Sequence, residues 1–327
     1  MTFRKFLQGS GHFFFFRKFF DFMTTLFLIS LLTFLIFQLL PGDPLLAILG
    51  PDADAAQIDA MKEKLGLDQS LLQRYFKWIW GAFHGDLGIS YQYDMAVSRL
   101  IRGSFFVTAG LAVITLLFTF VIGFSTALFL AQIIKSRAFN FLSTINQIWF
   151  SIPSFCTAIL LILLFSVKLG LFPTMGYVSP SQGFFLFLRS MALPALSLAL
   201  GSGSILSRYI TSSIKSQLKQ DYVRTARSKG LSEKKVIINH VLRNALIPSL
   251  TIFGLIMTEI LGGSIIVENV FSLPGIGRLI ATSIQSRDFP LIQGLVLYLA
   301  FITLSCNFLV DMLYRVVDPR IRLQGEV

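Results

Sequence analysis

The chain has 327 residues, of which 54% are hydrophobic and 14% charged, and its mean hydropathy is +0.72. A soluble domain carries about 25% charged residues, so this composition excludes an ordinary water-soluble fold and puts most of the chain in lipid. The net charge of +11 would suit nucleic acid, but the cations collect in segments between apolar runs, as membrane topology requires, and nucleic acid is excluded as a partner.

A helix needs about 20 apolar residues to cross the hydrocarbon core. Six runs qualify: residues 22–40, 103–134, 138–167, 190–207, 248–267 and 290–310. The start "HFFFFRKFF" resembles a signal-anchor with basic flanks; no small-residue cleavage site follows it, so it reads as the lead-in to the first span. The apolar run 169–188 is set aside as a loop with an interfacial segment, because Pro173, Gly176, Pro180 and Gly183 would break a helix there. Pro194 stands near the start of the fourth span, which suits a helix N-terminus. The expected fold is an all-α integral membrane protein with six transmembrane helices. Its segments are 1–40, a loop at 41–102, a membrane domain at 103–315 and a tail at 316–327.

Orientation follows from Lys and Arg. With the N-terminus inside, the inner segments hold 18 of the 28 Lys and Arg, nine of them between Arg208 and Arg243. Both termini and the 208–247 insert are therefore expected in the cytoplasm, and 41–102 outside. That outer loop carries apolar residues at helical spacing (Ile58, Met61, Leu65, then Leu71, Leu72, Tyr75, Ile79), which predicts two short amphipathic helices joined near Gly66. Trp78 and Trp80 belong near the membrane surface. The loop is either a cap on the outer mouth or a docking platform for an outside partner.

The insert is patterned as helix, glycine turn, helix. Tyr222, Val223 and Ala226 make one apolar face; Gly230 breaks the run; Ser232 stands at the N-cap of a second helix with the face Val236, Ile237, Val241 and Leu242. A basic loop can serve topology alone, but a loop with only that task needs neither two helices nor a hinge.

Three further features lie in or beside the membrane. Glu259 falls near mid-depth of the fifth span, where a carboxyl faces an interior or a cavity. It is either a pathway residue for a substrate's amino group or a protonated group bonded to a neighbouring helix. Ala195, Ala199, Gly203 and Ser207 recur every fourth residue, a ridge suited to close helix packing within this chain or against another. Glu268, Phe271, Pro274 and Gly275 fall where the fifth span gives way to a loop, read as an outer gate or a binding-protein contact.

No Gly-Lys dipeptide occurs, so there is no P-loop; His12, His84 and His240 stand alone; Cys156 and Cys306 both lie in apolar runs. Neither ATP hydrolysis, nor metallopeptidase or serine-hydrolase chemistry, nor a metal site has a foothold, and an intramembrane enzyme is excluded.

"YVRTARSKG" followed by "HVLRNALIP" resembles the coupling-loop signature of ABC-importer permeases, in particular the dipeptide/oligopeptide/nickel family. Arg224, Thr225 and Ala226 stand at its Glu-Ala-Ala triplet and Gly230 at its glycine; Ala226, Gly230 and Leu242 match the general form, and Pro248 stands downstream of the usual Pro. "LLPGDP", "LGLDQSLLQRYFKWI", "GDLGIS", "SIPSF", "VENVFSLPGIGRLI", "RDFPLIQG" and "DPR" extend the likeness over nearly the whole chain. The resemblance implies a non-catalytic permease subunit of the bacterial inner membrane, importing peptides. Its implied partners are a homologous second permease, two cytoplasmic ATPases that use ATP and Mg, an extracytoplasmic binding protein, and lipid. This chain is expected to bind no cofactor itself. Tyr222, Arg224, Thr225, Ala226, Arg227, Gly230 and Leu231 would form the ATPase-coupling loop. Arg224 and Arg227 are expected to pair with acidic groups on the ATPase, and Lys229 with those groups or with anionic lipid. Gly230 would allow a tight turn without a Cβ clash. Nickel or another small solute is the alternative within the family. An ion-coupled secondary transporter is the alternative outside it; that class would need more intramembrane carboxylates and an inverted repeat.

Overall fold

A computed structural model describes residues 10–39 and 68–317, together with positions 54, 56, 59 and 62. The described residues are helical apart from loops and one isolated bridge between Ile89 and Ala96. In chain order the helices are α1 (Ser10–Leu39), α2 (Leu71–Phe83), α3 (Val97–Gln132), α4 (Ala138–Ser151), α5 (Ser154–Leu161), α6 (Phe184–Gln217) and α7 (Asp221–Ser228). A short helix, Glu233–Val236, then leads through a π-helical turn into α8 (Leu242–Val270), followed by α9 (Ile276–Ser286) and α10 (Phe289–Val317). Among the described residues, five helical stretches are long and apolar enough to span a membrane. A sixth span forms if α4 and the Ser154–Lys168 stretch, bent by 99° at Pro153, are counted as one.

The chain divides into two compact units. The first draws on Met1–Phe106 and Gly275–Phe308. There α1 runs against α10 through aromatic pairs: Phe15 and Phe22 with Phe308, Phe22 with Phe301, and Phe37 with Phe289. Helix α2 begins in a full capping box between Ser70 and Gln73. It docks on α1 through Tyr75, whose hydroxyl shares a 2.8 Å hydrogen bond with Ser30, and through Arg74, which donates to Gln38. Trp78 packs on Phe34, whereas Trp80 is 70% exposed. The first of the two expected loop helices lies outside the described residues.

The second unit draws on Val107–Pro274 and Leu309–Val327. Its centre is the ridge on α6: Ala195, Ala199, Gly203 and Ser207 are all buried. The ridge meets α3 of this same chain. A Cβ built on Gly123 would come within 2.9 Å of the Gly203 carbonyl and of Leu206 Cβ. Only two glycines let the backbones approach that closely, as small residues do between helices in lipid.

The helix ends differ from the sequence reading at the prolines. Pro194 lies inside α6 and Pro248 inside α8, rather than at span N-termini. In lipid a broken backbone bond has no water to turn to, so a helix runs on through Pro when neighbouring groups absorb the loss. The 169–188 run behaves as a loop only as far as Gly183 (φ +146), and α6 begins at Phe184. The third span is interrupted at Pro153, which starts α5.

Candidate functional site

Helix α7 is two turns long and cannot persist by local propensity alone. It is held by Val223 and Ala226, both buried in a cluster with Ala127 and Ala131 of α3 and Ile210 and Ile214 of α6. Asp221 sits in its first turn and Arg227 in its last, each at the favourable end of the helix dipole. Gly230 follows the C-cap with φ +77, and its N–H donates to the Arg227 carbonyl at 2.9 Å. Nothing lies within 4 Å of a Cβ built there. The glycine is therefore needed for its left-handed backbone, not for space, which corrects the expected reason.

Beyond the turn, Ser232 occupies the N-cap position in extended conformation, as expected, but its side chain makes no cap hydrogen bond. Val236, Ile237 and Val241 are buried and Leu242 half-buried, the face read from the sequence. There is no separate second helix. The stretch passes through the π turn Ile237–Val241 straight into α8.

The charges sort differently from expectation. Arg227 reaches across the glycine turn to Glu233 at 3.1 Å, and Glu233 also receives Lys135 at 3.0 Å from the segment between α3 and α4. Each exposed pair is worth only about 0.2–1 kcal/mol, but the shared carboxylate fixes three segments together. Arg227 is thus engaged within the chain. Arg224 makes only a loose 3.5 Å contact with exposed Asp221, and Lys229 stands exposed. The outward surface of the knuckle is Tyr222, Arg224, Thr225, Lys229 and Gly230, with Leu231 half-buried behind it.

Glu259 lies on an exposed stripe of α8 with Leu255, Gly262 and Ile266, opposite the buried stripe of Ile256, Ile260 and Val267. Among the described residues, no neighbouring helix supplies it with a hydrogen-bond partner. Glu268 is wholly buried and accepts from Thr108 Oγ1 at 2.8 Å and Ser264 Oγ at 3.0 Å. Phe271 and Gly275 are buried as well, and Ser272 between them takes φ +55. Of the four residues read as a gate or contact, Pro274 alone presents surface in this conformation; the Glu268 carboxyl serves an internal bond instead.

A second polar centre escaped the sequence reading. Asp288, 1% exposed, accepts from Ser90 Oγ, from the Tyr91 N–H at 3.2 Å and the Gln92 N–H at 3.1 Å, and caps α10 through the Leu291 N–H at 3.3 Å. Ser90 in turn accepts from the Tyr93 N–H. Burial, and then the Asp288 carboxylate, raise the Tyr91 phenol above its ordinary value. "GDLGIS" and "RDFPLIQG", 198 residues apart at Ser90 and Asp288, are one structure. The available signal was an Asp placed as an N-cap just ahead of Phe289 and Pro290.

Residues 121–323 match the family described as binding-protein-dependent transport system inner membrane component. Residues 12–112 match the corresponding N-terminal model. The chain is 40% identical over 295 residues to a peptide transport system permease protein of Brucella abortus (strain 2308), covering 90% of this chain and 94% of the other. It is 38% identical over 299 residues to the glutathione transport system permease protein GsiC of Escherichia coli (strain K12), covering 91% and 95%. Its fold is that of a chain in the inward-facing MetNI methionine ABC transporter, with a TM-score of 0.55 at 16% identity over 67% of this chain and 96% of that one. With matches over nearly its whole length and several apolar helices, the chain belongs to the binding-protein-dependent transport system inner membrane components, multi-pass proteins of the bacterial inner membrane.

Proposed function

We propose that the chain is the permease subunit of an ATP-driven importer of peptides, forming half of the translocation pathway. The observation that carries this reading is the knuckle around Gly230. A two-turn helix is clamped from beneath by Val223 and Ala226, pinned sideways by Glu233, and turned outward with Arg224, Thr225 and Lys229 exposed. Such a rigid projection fits a groove with acidic groups on a partner. In this reading the partner is a cytoplasmic ATPase, and ATP-driven closure of two ATPases rocks the helices between inward- and outward-facing states. The names of the relatives support peptides as the cargo. A second permease and an extracytoplasmic binding protein complete the assembly, with Pro274 as surface for the latter. This subunit carries no catalytic group and binds no cofactor; ATP and Mg belong to the ATPases.

Purification from the native membrane in mild detergent, with identification of co-purifying chains, tests the assignment. A second permease and P-loop ATPases are expected. Recovery of this chain alone, in stable form, would point to a self-sufficient transporter.

Within the pathway, Glu259 faces away from the rest of the chain. A carboxyl left against lipid at that depth costs at least about 2.5 kcal/mol, so it belongs to the pathway lining, where it meets the amino group of the cargo. Glu259→Gln is expected to lower the rate of peptide uptake about tenfold while leaving protein level and subunit assembly unchanged. Uptake at the wild-type rate would remove it from the pathway.

A further inference from the structure

A cavity of 380 Å³ opens between α4 and the last turns of α6, in the same compact unit as the knuckle. Two cations line it. Arg208 has no hydrogen-bond or ion-pair partner among the described residues, and Lys215 lies over the Phe139 ring at 3.9 Å from its centroid. Its lining includes no Asp or Glu. Thr211, 5% exposed, also lines it, with a buried hydroxyl that has no partner. Its polar wall also includes Asn146, held by a bond to the Ser204 carbonyl, with Ser143, Gln147 and Ser212, while Phe150 and Ile205 supply an apolar floor.

The two cations are a debt that an anionic ligand would settle. A guanidinium and an ammonium line one void with no carboxylate among its lining to neutralise them, so the void favours an anion. Thr211 contributes to the wall, but its hydroxyl oxygen is fully buried and does not open onto the void. The volume exceeds what a bare phosphate fills, and the aromatic floor suits chain carbon. Basic pockets between membrane helices take phosphodiester head groups in this way.

We infer that this cavity binds the head group of an anionic phospholipid, its phosphate between Arg208 and Lys215 and the start of an acyl chain over Phe150. The lipid would join the beginning of α4 to the end of α6, just ahead of α7. Its place in the inner leaflet rests on the orientation proposed above; its binding does not, because detergent solution has no leaflets.

The test is native mass spectrometry of the full chain, purified and stripped of lipid, titrated with phosphatidylglycerol or with zwitterionic phosphatidylcholine. One phosphatidylglycerol is expected to be retained, with affinity reduced about thirtyfold when both cations are removed in Arg208→Gln/Lys215→Gln. The charge-preserving Arg208→Lys/Lys215→Arg variant should retain it, as should Lys234→Gln/Lys235→Gln, which makes the same charge change at exposed positions. If the double glutamine variant does not fold, Arg208→Gln alone gives the same reading at about fivefold. Equal retention by the glutamine variants and wild type, or equal retention of phosphatidylcholine, would overturn the proposal. Displacement of the lipid by millimolar inorganic phosphate would assign the cavity to a soluble anion and overturn its assignment to lipid.

Discussion

Asp288→Ala is expected to be the most destabilising single change in the first unit. It removes the acceptor for Ser90 Oγ and for the backbone N–H groups of Tyr91, Gln92 and Leu291, all in a site where Asp288 is 1% exposed. A hydrogen bond to a charged group contributes about 1.5–3 kcal/mol, and a buried donor left unmade costs a similar amount. Because the orphaned donors share one small site their losses are not additive, and a net loss of about 3–5 kcal/mol follows. In a thermal melt of the purified chain this corresponds to an apparent midpoint lower by on the order of 10 °C. Asp288→Asn should fall between, since its amide keeps one acceptor oxygen but turns a donor toward the N–H groups. Ser90→Ala should be milder again, because it orphans only the Tyr93 N–H and leaves the three backbone donors to Asp288 bonded. An alanine variant that melted with wild type would mean that the carboxylate adds nothing to the join between the 88–93 loop and α10.

Gly230→Val is expected to separate stability from function. The position has φ +77, a conformation that a β-branched residue reaches only at a cost of about 1–3 kcal/mol. No atom within 4 Å would be struck by the new Cβ, so the core is untouched and the strain is relieved by unwinding the turn. Unwinding releases the Arg227–Glu233 pair and re-aims α7. The melting midpoint should move by no more than a few degrees, while peptide uptake and recovery of the ATPases with the chain fall by at least about tenfold. Gly230→Asn, which tolerates the left-handed region, should retain much more of both. Normal uptake by the valine variant would show that the knuckle's geometry does not matter to coupling.

The residues that could be read correctly from sequence are those whose role is set by their neighbours in the chain. Val223, Ala226, Val236, Ile237 and Val241 announce their buried face through helical spacing, and Gly230 announces its turn. The Ala195-to-Ser207 ridge was legible as a packing surface for the same reason, though its partner, Gly123 on α3, was not. What sequence hid depends on distant or environmental facts. Asp288 meets Ser90 across 198 residues. Arg227 had a local carboxylate at Glu233 in plain sight, six residues on, but that spacing joins two residues only once a glycine turn folds them together. Pro194 and Pro248 misled because the rule that proline breaks helices is a rule for water. The burial of Glu268 was hidden because its place near a span end suggested surface, whereas its partner hydroxyl, Thr108, comes from α3.

The fusion of Glu233–Val236 with α8 has a mechanical consequence. From Glu233 to Val270 the backbone is helical throughout, a rod of roughly 55 Å. One end is gripped through Glu233 at the knuckle; the other carries Glu268 and runs into the sharp turn at Phe271 and Ser272. A hinged insert would absorb a push at its tip in its own flexible joints. A continuous rod instead acts as a lever, so that tilting its near end by a few degrees displaces the far end by several ångströms. The softest points along it are the π turn at Ile237–Val241 and the kink allowed by Pro248, both close to the knuckle. A tilt imposed at the knuckle would meet these two soft points first, and beyond Pro248 the helix would carry it on toward the Glu268 end as one piece.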